Sequence, residues 1–333
     1  MGKELLQNAA QALNNERFKL ILFPTEKCNF RCVYCYEDHV AGRMSNQLVN
    51  SIKRFLELKI PLLKLFELEW FGGEPLLGKS IVIEITSFAQ ELCREYGVTF
   101  VSVMTTNGYN LDFGTFEQLV NLGIKSFQIT FDGNKKNHDK YRLLAKNSSE
   151  GTFDKIWNNL LSTRKSSRQF SIAIRCHLTA INKESVESLL REIYETFGND
   201  TRYFIHLKEV SALGGENDDK MCLLSSEGKR KVMTEIKEKF SYLQFVDIGK
   251  DYICYAARPN TFAIRSNGSI IKCTVAMNSP LNHVGKLLPD GTLDIDANKF
   301  FLWSQGFDDM DKQKLDCPYY QCVKKWNSFS SSL

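Results

Sequence analysis

The hydrophobic pattern of this chain changes period repeatedly between Phe18 and Val210. Residues 19–23 form a short apolar run, which predicts a buried strand. Residues 47–59 place Leu48, Ile52, Phe55 and Leu56, with Ile60 just beyond, on one helix face. The exchange continues with a strand-like stretch at 66–71 and a helical one at 81–96 closed by Gly97. A β-branched strand pattern follows at 98–105, a helix at 113–122 ending at Gly123, and a strand at 126–131. Residues 153–165, 170–179, 184–197 and 202–208 read as helix, strand, helix and strand. Six such alternations predict a parallel sheet with helices outside it. Six units fall short of the eight of a closed barrel, so the expected α/β fold is an open, partial (β/α)6 barrel. Its site belongs at the C-terminal ends of the strands.

Beyond Val210 the pattern changes. Residues 211–219 are rich in Gly, Asn and Asp and read as a linker, which divides a barrel domain, 1–215, from a small α+β domain, 216–333. In the second part, 225–240 is amphipathic and 262–272 reads as a hairpin turning at Asn267-Gly268. The Ser-rich end, 328–332, is expected to be a frayed tail. No internal repeat or low-complexity tract is visible.

Composition narrows the function classes. The 333 residues suffice for one large domain and a smaller one, and 43% hydrophobic with 25% charged residues is ordinary for a globular protein. The net charge of +4 is mild, and the basic residues are dispersed apart from runs such as Lys229-Arg230-Lys231. A nucleic-acid partner is therefore not expected. The first 17 residues are polar and mixed in charge, unlike a signal peptide, and no apolar run approaches the ~20 residues of a membrane span. The expected location is cytoplasmic. In that reducing compartment the ten cysteines are better read as metal ligands than as disulfides where they cluster.

Cys28, Cys32 and Cys35 follow the first strand at the spacing C-x3-C-x2-C. Three thiolates on one tight loop can hold three irons of a 4Fe–4S cube and leave the fourth open, whereas fully ligated cubes use four cysteines. A zinc site with His39 as fourth ligand is the alternative. Phe71-Gly72-Gly73-Glu74-Pro75 follows the second strand, Thr105-Thr106-Asn107-Gly108 the third, and Gln128 to Asp132-Gly133 the fourth, trailed by His138 and Arg142.

In these motifs, and in their order, the chain resembles the radical S-adenosylmethionine (SAM) superfamily, over nearly its whole length. The cysteine loop, with Tyr34 before its last cysteine, matches that family's signature. The resemblance implies that the open iron binds the amino and carboxylate groups of SAM. An electron from the cluster then cleaves SAM to a 5′-deoxyadenosyl radical, which abstracts a hydrogen atom from the substrate. Tyr34, Gly72, Gly73, Glu74, Thr105, Asn107, Gln128, Asp132 and Arg142 are the implied SAM-site residues. Among them, the backbone of Gly72-Gly73 and the Glu74 side chain would meet the SAM amino group, and Arg142 its carboxylate. The glycines fit a close backbone approach to a ligand.

Cys254 and Cys273 form a C-x13-G-x4-C pattern around Gly268, and His283-Val-Gly-Lys-Leu follows. This resembles the opening of the SPASM and twitch domains, which hold auxiliary iron–sulfur clusters. The chain then offers only Cys317 and Cys322, fewer than a full SPASM domain carries. Four thiolates fit one fully ligated 4Fe–4S cluster, so the expectation is a shortened, twitch-like domain with one auxiliary cluster; a zinc site from the same four is the alternative. A saturated cluster offers no open iron, which points to electron transfer. Cys93 and Cys176 read as buried small hydrophobes, and Cys222 as a surface thiol or, in an epimerising enzyme, a hydrogen-atom donor.

SPASM and twitch relatives often modify peptides or proteins. The resemblance therefore implies oxidative modification, such as crosslinking, of a ribosomally made peptide, with flavodoxin or ferredoxin as electron donor. Only about 17 residues precede the first strand, so a leader peptide would bind the barrel directly or through a separate leader-recognition protein. Anaerobic sulfatase maturases are similar in Cys32-Val-Tyr-Cys35-Tyr36, but they carry a general-base Asp where this chain has Thr274. Peptide epimerases and small-molecule radical SAM dehydrogenases are the other readings within the family. A non-enzymatic iron–sulfur or zinc regulator lies outside it and leaves the GGEP and TNG elements unexplained.

Overall fold

A computed structural model describes residues 2–246 and 249–323. The Ser-rich stretch 328–332 lies outside the described residues.

The chain opens with helix α1 (Lys3–Ala12), strand β1 (Arg17–Leu22) and the three-residue strand β2 (Phe30–Cys32). Helix α2 (Asn46–Lys59), β3 (Leu65–Trp70), α3 (Lys79–Glu95), β4 (Thr99–Thr106), α4 (Phe113–Asn121) and β5 (Ile124–Phe131) follow. Next come α5 (Lys135–Tyr141), β6 (Arg142–Leu144), α6 (Phe153–Thr163), β7 (Ser171–Leu178), α7 (Lys183–Phe197) and β8 (Tyr203–Glu209). The remainder holds α8 (Ser226–Lys239), β9 (Thr261–Ile264), β10 (Ser269–Ile271), β11 (His283–Leu287), β12 (Leu293–Ile295), α9 (Ala297–Ser304) and the short α10 (Lys312–Asp316).

β1, β3, β4, β5, β7 and β8 are parallel neighbours in that order, each followed by a helix that covers the outer face. This is the open partial (β/α)6 barrel. Burial alternates along β3 and β8, because one set of side chains packs under the helices and the other faces the barrel interior. The interior set is polar: Lys19 reaches Glu67 and Glu69, both at 2.6 Å, and His206 Nδ1 lies 2.9 Å from Gln128 Oε1. The outer set forms the main core, with Leu20, Phe66, Leu68, Trp70, Phe116, Ile172 and Ile205 essentially inaccessible.

The sheet does not stop at β1. β9 pairs with it in parallel (Lys19 with Thr261), and β10, β11 and β12 continue antiparallel, giving ten strands in one sheet. The predicted hairpin is β9–β10. α1 was not legible: its buried face is only Leu5, Ala9 and Ala12. That face packs on Ile253, Ala257 and Leu315, so the first helix of the chain braces the C-terminal segment. No helix among the described residues is long and apolar enough to cross a membrane.

Candidate active site

The loop after β1 carries the first three cysteines, and its anchors come from distant parts of the chain. Glu26 is buried; its carboxylate accepts from the Ser266 amide at 3.2 Å and the Ser266 hydroxyl at 2.9 Å, and pairs with the Arg265 guanidinium. The loop before the cysteines is thereby fixed to the β9–β10 turn. Lys27 Nζ donates to the carbonyls of His39 (2.8 Å) and Val40 (3.1 Å), closing the loop's far side. Cys28, Cys32 and Cys35 all face one cavity of about 390 Å3 above the strand ends. Burial pushes the Cys28 and Cys32 thiols up from their ordinary range and Cys35 up to about 12. Soft sulfur donors in such a place suit iron or zinc, and coordination displaces their protons. Among the described residues no three His, Cys, Asp or Glu side chains converge on a single-ion site. A four-iron cube spreads its thiolates more widely than one ion does. His39 Nδ1 donates to the Glu26 carbonyl at 3.1 Å, and its Nε2 lies 3.6 Å from Cys35 Sγ.

Gly72 and Gly73 follow β3, with φ of 83° and 43°. Both line the cavity. A Cβ on Gly72 would sit 2.0 Å from the Phe23 ring, and one on Gly73 2.4 Å from the Lys27 carbonyl oxygen. Their small size is thus demanded by β1 and the cysteine loop, in addition to any ligand. The Gly73 amide donates to Glu37 Oε2 at 2.7 Å. Burial raises the Glu37 carboxyl to about 7, against the opposing effect of that amide.

Glu74 does not face the cavity. It is fully buried. One carboxylate oxygen accepts from the Leu76 amide (3.0 Å) and the Thr106 hydroxyl (2.7 Å), the other from the Asn107 amide (2.7 Å). Burial is the largest influence on this carboxyl and raises its pKa, against those hydrogen bonds. Through these bonds Glu74 ties the end of β3 to the end of β4. Thr105, Thr106 and Asn107 do line the cavity. Asn107 Nδ2 donates to Asn29 Oδ1 at 2.8 Å and lies 3.9 Å from Cys28 Sγ.

The fourth strand contributes a buried network. Tyr34 donates to Asp132 Oδ2 at 2.7 Å and accepts from Arg142 Nη1 at 3.0 Å. His177 Nδ1 stands 3.1 Å from the other Asp132 oxygen. Burial would raise the Asp132 carboxyl, but His177, Arg142 and His138 outweigh it and hold it below its usual range. Burial keeps the imidazoles neutral, lowering His177 to about 4 and His138 to about 3. Neutral His138 accepts from the Asp132 amide (3.5 Å) and donates to Thr152, whose hydroxyl donates to the Arg142 carbonyl. The three-residue pairing of β2 with β6 sets Arg142 opposite Cys32. The Arg142 guanidinium lies over the Phe30 ring at 5.4 Å and keeps a buried Nε without a partner. An arginine so placed, beside the thiols and with donors unspent, suits a carboxylate.

Of the remaining sequence candidates, Gln128 pairs with His206 and does not line the cavity. Cys222 is exposed and also away from it. Cys254 and Cys273 lie on the other side of the cavity wall. Their immediate neighbours, Tyr255 and Thr274, form that wall. The Thr274 amide donates to the Tyr255 hydroxyl at 2.9 Å, and the two hydroxyls lie 2.7 Å apart. Cys254, pushed up to about 12 chiefly by burial, also feels Cys273 and Cys317. Cys322 is buried on the last described turn. Sequence reasoning missed Glu26, Glu37, Tyr255, His177 and Arg175. The last two carried a legible signal, being polar residues at alternate positions in an otherwise apolar strand.

Residues 22–193 match the radical SAM superfamily. The cysteine-type anaerobic sulfatase-maturating enzyme of Clostridium novyi (strain NT) is 28% identical over 214 residues, 60% of this chain and 52% of that protein. The GTP 3′,8-cyclase of Thermodesulfovibrio yellowstonii is 25% identical over 218 residues, 64% of this chain and 60% of that one. The aligned part thus spans under two thirds of each relative's length. Among solved structures, native anSMEcpe with bound AdoMet superposes with a TM-score of 0.63 at 19% identity, covering 85% of this chain and 80% of that one. Streptococcus suis SuiB bound to its precursor peptide SuiA gives 0.60 at 14% identity, covering 90% and 69%. These likenesses establish the shared fold, auxiliary C-terminal region included.

Proposed function

The chain belongs to the radical SAM superfamily, and on that premise we propose that it oxidatively modifies, by crosslinking, a ribosomally made peptide. Membership implies SAM and a 4Fe–4S cluster. The observation that carries the reading is one cavity shared by four parts. These are the thiols of Cys28, Cys32 and Cys35, the Gly72-Gly73 backbone, Arg142, and the Tyr255–Thr274 wall that backs onto Cys254 and Cys273.

Cys28, Cys32 and Cys35 would hold the catalytic cluster, and Gly72, Gly73, Thr105, Asn107 and Arg142 would face SAM. When bound, cluster and SAM together supply reductive cleavage of SAM and abstraction of a substrate hydrogen atom. Arg142 offers its free Nε and the guanidinium fork to the SAM carboxylate, while Tyr34 and Asp132 fix its orientation. Glu74 and Asp132 act from behind the wall, as does Gln128 through His206. Phe23, Phe71, Tyr36 and Tyr255, packed with Ile21 and Ile271, keep water from the floor of the site. Cys254, Cys273, Cys317 and Cys322 would hold an auxiliary cluster, which supplies an acceptor for the surplus electron of the oxidation. A cytoplasmic setting, a flavodoxin or ferredoxin donor, and a leader peptide or separate leader-recognition protein complete the proposal.

A second reading is sulfatase-maturase-like protein oxidation, favoured by the Clostridium novyi relative. Thr274 speaks against it. Its hydroxyl is engaged by Tyr255 and cannot act as a base at neutral pH, unlike the Asp that sulfatase maturases carry there.

The test is iron and nucleoside chemistry together. Anaerobically reconstituted protein is expected to hold about eight irons and to release 5′-deoxyadenosine with dithionite. The Cys28→Ala/Cys32→Ala/Cys35→Ala variant is expected to keep about four irons and release none. Loss of all iron from that variant, or zinc alone in the wild type, refutes two clusters. Co-expression with a neighbouring short peptide gene is expected to lower the peptide's mass by two hydrogens. An unchanged mass would mean epimerisation.

A further inference from the structure

Arg175 is a cation that lines the barrel cavity. It lies on β7, three residues before that strand's end, in a lateral row with Thr130 of β5 and His206 of β8. It lines the cavity one layer deeper than His177. Among the described residues it has no ion pair, and its buried Nε has no hydrogen-bond partner. The carboxylates nearby are committed elsewhere. Asp132 is taken by Tyr34 and His177, Glu209 by Lys208 and Lys229, and Glu37 by the Gly73 amide. Burial is the largest influence on it and lowers its pKa, with Arg142 acting the same way, against the opposing effect of Tyr36, Tyr34 and Asp132. A guanidinium stays charged regardless. The side chain is only half-buried, but its inaccessible Nε is unpartnered, and a planar fork of donors pairs best with a carboxylate.

We propose that Arg175 recognises a carboxylate of the substrate, so that the peptide presents an acidic side chain or its C-terminus to the interior of the barrel. This rests on the peptide-modifying reading above. SAM is the other possible source of a carboxylate, but Arg142 stands beside the cysteine loop for that, opposite Cys32. Arg175 lies deeper on β7, below the layer of Asp132 and His177, where His177 packs edge-on against Tyr34 of the cysteine loop at 5.0 Å. A substrate entering past the cysteines would meet it there.

The test uses the full chain, reconstituted anaerobically and saturated with SAM without reductant, so that no turnover is needed. Three probes are titrated by ligand-observed NMR. They are N-acetyl-glutamate N-methylamide, its neutral glutamine counterpart, and N-acetyl-glutamine with a free C-terminus. One of the two carboxylate probes is expected to bind on the order of tenfold or more tighter than the neutral one, the range of a charge-assisted hydrogen bond. Which probe wins identifies side chain or terminus. Arg175→Gln is expected to abolish the preference, and Arg175→Lys, which keeps charge without the fork, to retain part of it. Equal binding of all three probes to the wild type overturns the proposal without recourse to a variant. A preference that survives Arg175→Gln overturns it too, as does an equal loss of SAM affinity in that variant. Failure of the wild type to release 5′-deoxyadenosine would sink the radical chemistry and leave the carboxylate preference to stand by itself.

Discussion

The two groups of cysteines are assembled in opposite ways. Cys28, Cys32 and Cys35 fall within eight consecutive residues on a single loop. Cys254 and Cys273 flank the β9–β10 hairpin, while Cys317 and Cys322 follow α10 at the end of the described chain. A local loop needs little further ordering to gather its ligands. Distant segments must first give up the entropy of closing long loops, and here that closure is made by pairing β9 with β1 and by seating α1 against Ile253, Ala257 and Leu315. The C-terminal set is therefore a reporter of the whole fold, and the first set mainly of its own loop. The two are joined through Glu26, which reaches from the cysteine loop to Arg265 and Ser266.

The largest effect should come from Cys317→Ala. If the C-terminal set serves only to receive an electron, this variant is expected to lose all modified peptide while still releasing 5′-deoxyadenosine, because the first three thiols are untouched. Mass spectrometry and nucleoside assay on one sample decide it, and product formed at the normal rate would erase the division of labour.

Arg265→Met attacks the join. It leaves the buried Glu26 carboxylate without its guanidinium, a change expected to cost about 3–5 kcal/mol. Denaturant unfolding measures the cost, and iron retention should fall at both cysteine groups. Iron loss from one group alone would show that the two fold independently.

A smaller effect is expected within the first region. Glu74→Gln places an amide donor against the Leu76, Thr106 and Asn107 donors, and about 1–3 kcal/mol of stability should be lost. SAM affinity should fall only in so far as Asn107 and Gly73 shift. Calorimetric titration with SAM, compared with Asn107→Ala, distinguishes this from direct contact. A large loss of affinity with unchanged stability would restore Glu74 as a ligand-facing group.

The gentlest probe is pH. His138 and His177 are held by burial at about 3 and about 4, against an ordinary 6.5. Between 6.5 and 4 the unfolded chain binds more protons than the folded one. Stability is therefore full above pH 6.5 and declines as pH falls, by roughly 1.4 kcal/mol per pH unit for each ring. The barrel network should loosen in this window, whereas the C-terminal cysteine group contains no such imidazole pair. Urea midpoints of the wild type and a His138→Gln/His177→Gln variant at pH 7, 6 and 5 measure the slope. Equal slopes would remove these two rings as its cause.

The sequence by itself determined the alternation of six strands and their helices, because a strand under helices and a helix against a sheet each leave a periodic apolar record. It also determined the first cysteine loop and the order of GGEP, TNG and DG…H…R, since those residues sit at fixed short spacings after strand ends. Only the tertiary structure decided that Glu74 turns inward to Thr106 and Asn107, and that Gly72 is required by the Phe23 ring. The same holds for α1, bracing the far end of the chain with a face of one leucine and two alanines. Arg175 likewise gained its meaning from the strands on either side, which put Thr130 and His206 beside it and no carboxylate. Spacing along a chain fixes which residues can share a turn or a face. Whether a buried charge finds its counter-charge depends on neighbours that sequence order does not bring together.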